Sequence, residues 1–263
     1  MAIVIDCHVH FDGRPGELDS LLRTCDQVGI DRCVVFSCES NDAVLAAAQA
    51  HPDRLIPFAH FALGTDPALR VNQFHDRGFR GIKFINPADN YNSRAYWDVY
   101  GRMAERGLVA LFHLGIVSRP RDNRPDDRDS NRTRPIYLDH IARAFPALRL
   151  IGAHFGNPWY EEAAMAARWN SNLWFDLSGS SLKAKPPDFF RALLWWDKPD
   201  HPYTPHGGKH PFDKICFGTD VAHEWMPDVH HDYQLLLDGM AVPPEYRTKI
   251  MGGNVMEALR ITA

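Results

Sequence analysis

Eight short apolar runs recur along the chain, and an amphipathic segment follows each of them. Each run is short enough for a buried strand, and the segments between them carry apolar residues at a spacing of three or four. Strands are predicted at Ile3–His8, Arg32–Ser37, Leu55–Phe61, Arg80–Ile85, Leu108–His113, Leu148–His154, Leu173–Ser178 and Ile215–Asp220. Helices are predicted at Glu17–Val28, Ser40–Ala50, Pro67–Arg77, Arg94–Arg106, Pro135–Phe145, Trp159–Trp169, Pro187–Trp196, Asp228–Met240 and Pro243–Arg260. Strands that alternate with helices form parallel sheets, so the pattern predicts an α/β protein.

Two architectures accommodate eight such units, a (β/α)8 barrel and an open doubly wound sheet. Polar side chains favour the barrel, because several of them lie at or near the C-terminal end of a predicted strand. They are His8 and His10 on strand 1, Lys83 on strand 4, His113 on strand 5, His154 on strand 6 and Asp220 on strand 8. A barrel brings these ends together on one face, whereas strands 1 and 8 of an open sheet are usually far apart. We therefore predict a single (β/α)8 domain over residues 1–263.

Composition excludes several classes of protein. The 263 residues carry a net charge of -4, which is too small to suggest binding to nucleic acid or to a membrane surface. No apolar stretch is long enough to span a bilayer, and the N-terminus does not read as a secretory signal. The five cysteines are scattered without CxxC spacing, which is typical of reduced thiols in a cytoplasmic protein. A homodimer is expected only because dimers are the commonest soluble oligomers.

The segment Asp6-x-His8-x-His10 ends the first strand. Side chains alternate along a strand, so the two imidazoles point to the same side and could bind one metal ion. The alternative is a strand that happens to end in two histidines. Further ligands could come from His113 and Asp220, and His154 could either bind metal or act as an acid/base group. Taken singly, His113 or His154 could be a polar group satisfied at a strand end; their joint position indicates a site for a divalent metal, zinc first and manganese second.

Other residues could contact a substrate. Lys83 could form a salt bridge in the barrel mouth, contact a substrate carboxylate, or bridge two metals as a carbamate, and the first two roles are favoured. Arg119 begins an arginine-rich and aspartate-rich stretch after strand 5, where it could bind an anionic substrate; a surface loop paired within itself is the favoured alternative. Asn157 and Trp159 could form a pocket wall, and His223 follows strand 8 closely.

Except for Arg119 and His223, these candidate residues fall within segments that resemble the amidohydrolase superfamily. The resemblance is to the branch that includes amino-carboxymuconate-semialdehyde decarboxylase and related decarboxylases, lactonases and hydratases. The matching segments are Asp6-Cys7-His8-Val9-His10, Gly81-Ile82-Lys83, Leu111-Phe112-His113, Gly152-Ala153-His154-Phe155-Gly156-Asn157-Pro158-Trp159, Phe175-Asp176-Leu177-Ser178-Gly179, Phe217-Gly218-Thr219-Asp220 and Gly252-Gly253-Asn254. They run from end to end of the chain.

The resemblance implies a distorted (β/α)8 TIM barrel with a divalent metal, usually zinc. It implies ligand roles for His8, His10, His113 and Asp220, and an acid/base role for His154. Two departures stand out. Ile85-Asn86-Pro87 occurs where the family often has His-Pro soon after the strand-4 lysine, and the chain lacks the long insertions common in the decarboxylases.

The function expected from these features is metal-dependent hydrolysis of a small carboxylate-bearing substrate, which could be a lactone, an ester or an amide. Water activated by the metal would attack, and Asp220 or His154 would accept its proton. The alternative reaction is non-oxidative decarboxylation of an aromatic or unsaturated acid. A barrel that binds a metabolite without turning it over is a third and less favoured expectation.

Overall fold

Eight parallel strands form the centre of the protein. The computed structural model describes residues 3–118, 126–179, 185–194 and 210–262. The strands are β1 Ile5–His10, β2 Arg32–Phe36, β3 Leu55–His60, β4 Gly81–Phe84, β5 Val109–Phe112, β6 Arg149–Gly152, β7 Leu173–Asp176 and β8 Ile215–Cys216. They lie in one sheet in chain order, each paired in parallel with the next. The predicted (β/α)8 barrel is confirmed, and it is a single domain.

The barrel is nearly closed by hydrogen bonds between its first strand and the segment that follows its last strand. The Cys7 amide donates to the Phe217 carbonyl at 2.9 Å, and the Asp220 amide donates to the His8 carbonyl at 2.8 Å. The Asp6 carboxylate also accepts hydrogen bonds from the Thr219 amide, at 3.1 Å, and from the Thr219 hydroxyl, at 2.6 Å. These bonds hold the ends of β1 and β8 side by side.

Helices cover the outside of the barrel. The described helices are α1 Glu17–Val28, α2 Asn41–Ala50, α3 Arg70–Arg77, α4 Trp97–Arg106, α5 Ile136–Ala144, α6 Tyr160–Trp169, α7 Pro187–Leu193, α8 Met226–Gly239, α9 Pro244–Thr248 and α10 Asn254–Leu259. Among these residues, no helix combines the length and the apolar character needed to cross a membrane.

The last predicted helix, Pro243–Arg260, is interrupted in the structure. A wider π-type turn over Lys249–Gly253 separates α9 from α10. Gly252 in this turn packs so closely on β1 that an added Cβ would lie 2.2 Å from the Ile3 carbonyl oxygen. The backbone can make this approach only without a side chain, so the glycine fixes how the C-terminal segment meets the barrel.

Apolar side chains form two layers of core. One lies between the sheet and the helices, and the other fills the barrel interior. Inside the barrel, alternate residues of each strand point to the axis, as Val34 and Phe36 do on β2. Val255, Ala258 and Leu259 of α10 pack against the same interior cluster. The apolar filling of the barrel therefore extends to this helix, and the polar residues collect at the other end.

Several strands are shorter than predicted at their C-terminal ends. β8 ends at Cys216, four residues before Asp220, and β6 ends at Gly152, two residues before His154. Both polar residues have left-handed backbone conformations, with φ 50° at Asp220 and φ 60° at His154. The chain therefore turns at these positions, and the two side chains are presented from turns above the strands.

Candidate metal centre

Three possible metal ligands come together at the C-terminal end of the barrel. Among the described residues, His8, His10 and Asp220 form one group whose ligand atoms all lie within 4.8 Å of one another. Asp220 Oδ1 lies 3.2 Å from His8 Nε2 and 3.0 Å from His10 Nε2. His8 is buried, whereas the His10 side chain is 41 % exposed. Two imidazoles and a carboxylate are a donor set that suits a divalent ion, with one side open to solvent.

Asp176 fixes the orientation of His8. Its Oδ2 lies 2.8 Å from His8 Nδ1, so that nitrogen carries the proton and donates to the carboxylate. The other ring nitrogen, Nε2, then presents a lone pair toward Asp220. Burial lowers the pKa of His8 to about 4 despite the nearby carboxylates, so the ring is neutral at pH 7 and able to ligate a cation.

The Asp176 carboxylate is the centre of a buried hydrogen-bond network. Its Oδ1 accepts from the His154 amide at 2.8 Å, the Ser178 amide at 3.0 Å and the Ser178 hydroxyl at 2.6 Å. Burial alone would raise the pKa of this carboxyl group, but the His8 ring and the hydrogen bonds outweigh it and hold the pKa below its usual range. Asp176 is therefore a carboxylate that organises both His8 and His154.

Ser178 determines which nitrogen of His154 carries a proton. Its hydroxyl donates to Asp176, so the same oxygen accepts from His154 Nδ1, which lies 2.9 Å away. This leaves Nε2 of His154 as the acceptor nitrogen. That atom lies 3.4 Å from Asp220 Oδ2 and 3.3 Å from His113 Nδ1. The predicted acid/base histidine therefore stands beside the three-ligand group with its basic nitrogen toward it.

His113 lies next to His154 and outside the three-ligand group. Its Nε2 is buried and has no hydrogen-bond partner among the described residues. Burial lowers the pKa of His113 to about 3, so the ring is neutral. A buried imidazole lone pair without a donor is costly to leave unsatisfied, and a metal ion would satisfy it. The residues present thus fit a metal, although His113 as a ligand remains a prediction.

Lys83 is completely buried beneath the ligand group. Its Nζ lies 2.8 Å from His8 Nε2 and 4.8 Å from the centre of the Phe36 ring. Burial lowers the pKa of the amine. In this structure Lys83 contacts a candidate ligand and does not line the described cleft beside the ligand group, so its role toward substrate remains a prediction.

A cleft of about 740 Å³ opens beside His10 and Asp220. The loops after β1 and β8 form its walls, and the polar lining residues are His10, Asp12, Arg14, Glu17, Ser20, Asp220, His223 and Glu224. His223 thus lines the same cleft as His10 and Asp220, and its contact with substrate remains a prediction. The Arg14 side chain is 70 % exposed and lies 3.1 Å from Asp12. This volume is in the usual range for a small-molecule site.

A sequence model of the amidohydrolase family matches residues 5–261. The chain belongs to the amidohydrolase family. Its fold is similar to that of an uncharacterised TIM-barrel protein from Bordetella bronchiseptica, with a TM-score of 0.74, 19 % identity and 98 % of each chain covered. It is also similar to 5-carboxyvanillate decarboxylase from Sphingomonas paucimobilis, with a TM-score of 0.70, 14 % identity and 100 % of each chain covered.

A third similar structure is 4-oxalomesaconate hydratase from Rhodopseudomonas palustris, with a TM-score of 0.66, 15 % identity, and 98 % of this chain and 96 % of that chain covered. No curated protein gave a significant sequence match. At these identities the solved structures show the fold alone. Family membership indicates an enzyme, and the similar structures include both a decarboxylase and a hydratase.

Two predicted pocket residues of this amidohydrolase make contacts within the protein. Asn157 Oδ1 accepts a hydrogen bond from the Tyr160 hydroxyl at 2.6 Å. The Trp159 ring lies under the guanidinium of Arg134, 5.5 Å from its Cζ. Neither residue lines the described cleft, and their predicted contact with substrate is untested. Arg119 lies outside the described residues.

The described part of the arginine-rich loop of this amidohydrolase is paired within the protein. Its three arginines contact carboxylates: Arg128 with Asp126, Arg132 with Asp127, and Arg134 with Glu162. For Arg128 and Arg132 the favoured interpretation, a surface loop paired within itself, agrees with the structure, whereas Arg134 pairs with α6 outside the loop.

Sequence reasoning gave no role to three residues that the structure places at or near the centre of this amidohydrolase. They are Asp176, Ser178 and Arg14. A signal for Asp176 was available, because it ends an apolar strand just as the other polar site residues do. Ser178 follows it two residues later. Arg14 carries no comparable signal, since it is one of many arginines in loops.

Proposed function

We propose that this amidohydrolase hydrolyses a small carboxylate-bearing lactone, ester or amide with the help of a divalent metal. One observation carries the proposal: the basic nitrogen of His154 lies 3.4 Å from Asp220, a member of the three-ligand group. Metal-assisted hydrolysis requires at least an acid/base group beside the site that would hold the metal.

His8, His10 and Asp220 would hold the metal, with His113 as a candidate further ligand. Zinc suits this donor set, and manganese is the alternative. A bound divalent ion supplies Lewis acidity and lowers the pKa of water from 15.7 to about 7. The open side of the group faces the cleft, so substrate would reach it from there.

His154 is better suited than Asp220 to carry the proton. Burial would raise the pKa of Asp220, but the nearby His8 and the hydrogen bond from His10 hold it well below its usual value. A carboxylate with so low a pKa is a weak base and stays ionised. Nε2 of His154 can accept a proton from the attacking water and return it to the leaving group, while Ser178 keeps Nδ1 protonated throughout.

Arg14 is the candidate partner for the substrate carboxylate. Among the described residues, Arg14 is the one arginine that lines the cleft. Its side chain is largely exposed despite the contact with Asp12. A planar guanidinium can bind a carboxylate through two parallel hydrogen bonds. Arg119 is the alternative that the sequence suggests.

The proposal is tested by assaying zinc-loaded and manganese-loaded protein against carboxylate-bearing lactones, esters and amides. We expect turnover that His154→Gln lowers by about 10²- to 10⁴-fold, the usual contribution of a positioned acid/base group. His75→Gln, a change at an exposed histidine, is the matched control. Carbon dioxide release from aromatic acids without hydrolysis would establish the decarboxylase instead. Binding without turnover of any compound would indicate a non-catalytic barrel.

The substrate carboxylate has its own test. Arg14→Gln should raise KM for the acidic substrate while leaving kcat nearly unchanged, because the contact is made equally in ground and transition states. Arg143→Gln is the control, since Arg143 is an exposed arginine of α5 that pairs with Asp139 and does not line the cleft. An unchanged KM in Arg14→Gln would exclude this residue as the anchor.

A further inference from the structure

The opposite end of the barrel carries a group of arginines. Arg149 begins β6, Arg80 immediately precedes β4, and Arg260 immediately follows α10. We propose that Arg149, Arg80 and Arg260 form a binding site for a small oxyanion such as phosphate at the N-terminal mouth of the barrel. This site is separate from the metal centre and does not depend on the proposed function.

Arg149 is buried with unsatisfied donors. The residue is only 6 % exposed, and its Nε and Nη1 atoms are buried without a hydrogen-bond partner. The remaining guanidinium nitrogen, Nη2, makes one long contact of 3.5 Å with the Gly107 carbonyl. A guanidinium has five N–H donors and keeps its charge, so this environment is costly unless a ligand accepts those hydrogen bonds.

The charged groups near Arg149 do not neutralise the positive charge of its guanidinium. Among the described residues, the charges that act on its guanidinium are those of Arg260 and Arg80, and no carboxylate is among them. Burial first, and then repulsion by these two arginines, lowers the pKa of Arg149 to about 10. Three cations that form no salt bridge with a carboxylate among the described residues favour an anion between them.

The backbone places the three arginines at the same end of the barrel. Val109 of β5 pairs with Arg149, and its amide donates to the Arg80 carbonyl at 3.2 Å. Arg80 and Arg149 therefore flank the same residue from adjacent strands. α10 contacts β6, and Arg260 ends that helix with a left-handed backbone of φ 50°. These features are part of the barrel itself, so the group is held by regular structure.

Space is available next to this group. A cavity of about 390 Å³ opens at this end of the barrel; Arg80 lines it together with Arg32, Arg77 and Ile261, whereas Arg149 and Arg260 do not. Arg32 at the start of β2 also has a buried Nε without a partner. An oxyanion with several acceptor oxygens could satisfy donors from more than one of these side chains at once.

The experiment titrates the full chain with inorganic phosphate at constant ionic strength, with chloride as the reference, by calorimetry and thermal denaturation. We expect saturable binding that Arg149→Met weakens at least about tenfold, the size expected for loss of a charge-assisted contact. Arg260→Gln changes an exposed side chain and should weaken binding in the same direction, even if Arg149→Met fails to fold. Arg143→Gln, at an arginine paired with Asp139 on α5, is the matched control.

Phosphate could also bind at the metal centre, so the titration is repeated in a His8→Ala/His10→Ala variant. Retention of phosphate binding in that variant, together with its loss in Arg260→Gln, supports the arginine site. Malonate is titrated in parallel to tell a preference for phosphate from a preference for carboxylates. Absence of saturable binding beyond chloride, or binding unchanged by both arginine variants, would overturn the proposal.

Discussion

Replacing Asp176 by asparagine should weaken metal binding without touching a candidate ligand. Oδ1 of Asp176 accepts three hydrogen bonds, from His154 and Ser178, and Oδ2 accepts one from His8 Nδ1. An asparagine keeps most of these bonds only if its oxygen takes the Oδ1 position. Its NH2 group then faces the Nδ1 proton of His8, so two donors oppose each other.

His8 can relieve that conflict by moving its proton from Nδ1 to Nε2. Nε2 is the atom that faces Asp220, at 3.2 Å, and a protonated nitrogen cannot ligate a metal. Loss of an outer hydrogen-bond partner of a ligating histidine typically weakens metal binding by about 10- to 100-fold. We therefore expect a zinc dissociation constant raised by about that factor, equivalent to about 1.4–2.7 kcal/mol.

The assay is competition for zinc between the purified protein and a chromophoric chelator, with circular dichroism to verify folding. Asp139→Asn is the matched control, because Asp139 is also a hydrogen-bonded aspartate, bound to Arg143 and Asn170 on the outside of the barrel. It should lower thermal stability and leave zinc affinity unchanged. A folded Asp176→Asn protein with a zinc affinity within twofold of the parent would refute the argument.

Three further predictions follow from the same centre. Ser178→Ala should lower kcat by about tenfold, because His154 loses the hydrogen-bond partner that keeps the proton on its Nδ1. Metal content and KM should be retained. Steady-state kinetics together with elemental analysis tests this, and an unchanged kcat would contradict it. Lys83→Met should bind about one equivalent of metal, as the parent protein should, when both are measured by elemental analysis. A fall from two equivalents in the parent to one in the variant would instead indicate that Lys83 bridges two metals as a carbamate. For the metal-free protein, burial lowers the pKa of His8 to about 4 and of His113 to about 3, and raises that of Asp6 to about 7. Between pH 6.5 and 4 the unfolded chain binds two protons at these histidines, whereas the folded chain already holds one at Asp6. These three groups together should therefore lower the free energy of unfolding by about 1.4 kcal/mol per pH unit as the pH falls. Urea titrations that show no fall in this range would contradict this.

The sequence predicted the fold and the positions of the central residues for one physical reason. Parallel strands in a barrel place their C-terminal ends on one face, so polar residues at these ends can be expected from the sequence alone to lie close together. This placed His8, His10 and Asp220 together. It could not say that His113 would lie beside His154 and outside the three-ligand group, because that depends on side-chain rotamers and on the turn conformations after the strands.

Hydrogen-bond partners were harder to predict than positions. The contact between Asp176 and His8 joins residues 168 positions apart, and it is selected by the register of the five strands that lie between β1 and β7. The role of Ser178 follows only from knowing which group accepts its proton. The long predicted helix at Pro243–Arg260 failed for a similar reason, since the close approach of Gly252 to β1 is a tertiary contact that helix periodicity does not contain.

The closure of the barrel also determines when during synthesis the candidate metal ligands can come together. His8 and His10 belong to the first strand, whereas Asp220 follows the eighth, and the Asp220 amide is tied to the His8 carbonyl. A nascent chain carries two of these ligands from the start but lacks the third until nearly all of the barrel has left the ribosome. Capture of metal by the complete group would therefore report completion of the barrel, and truncated chains that lack β8 and the segment after it cannot assemble the group.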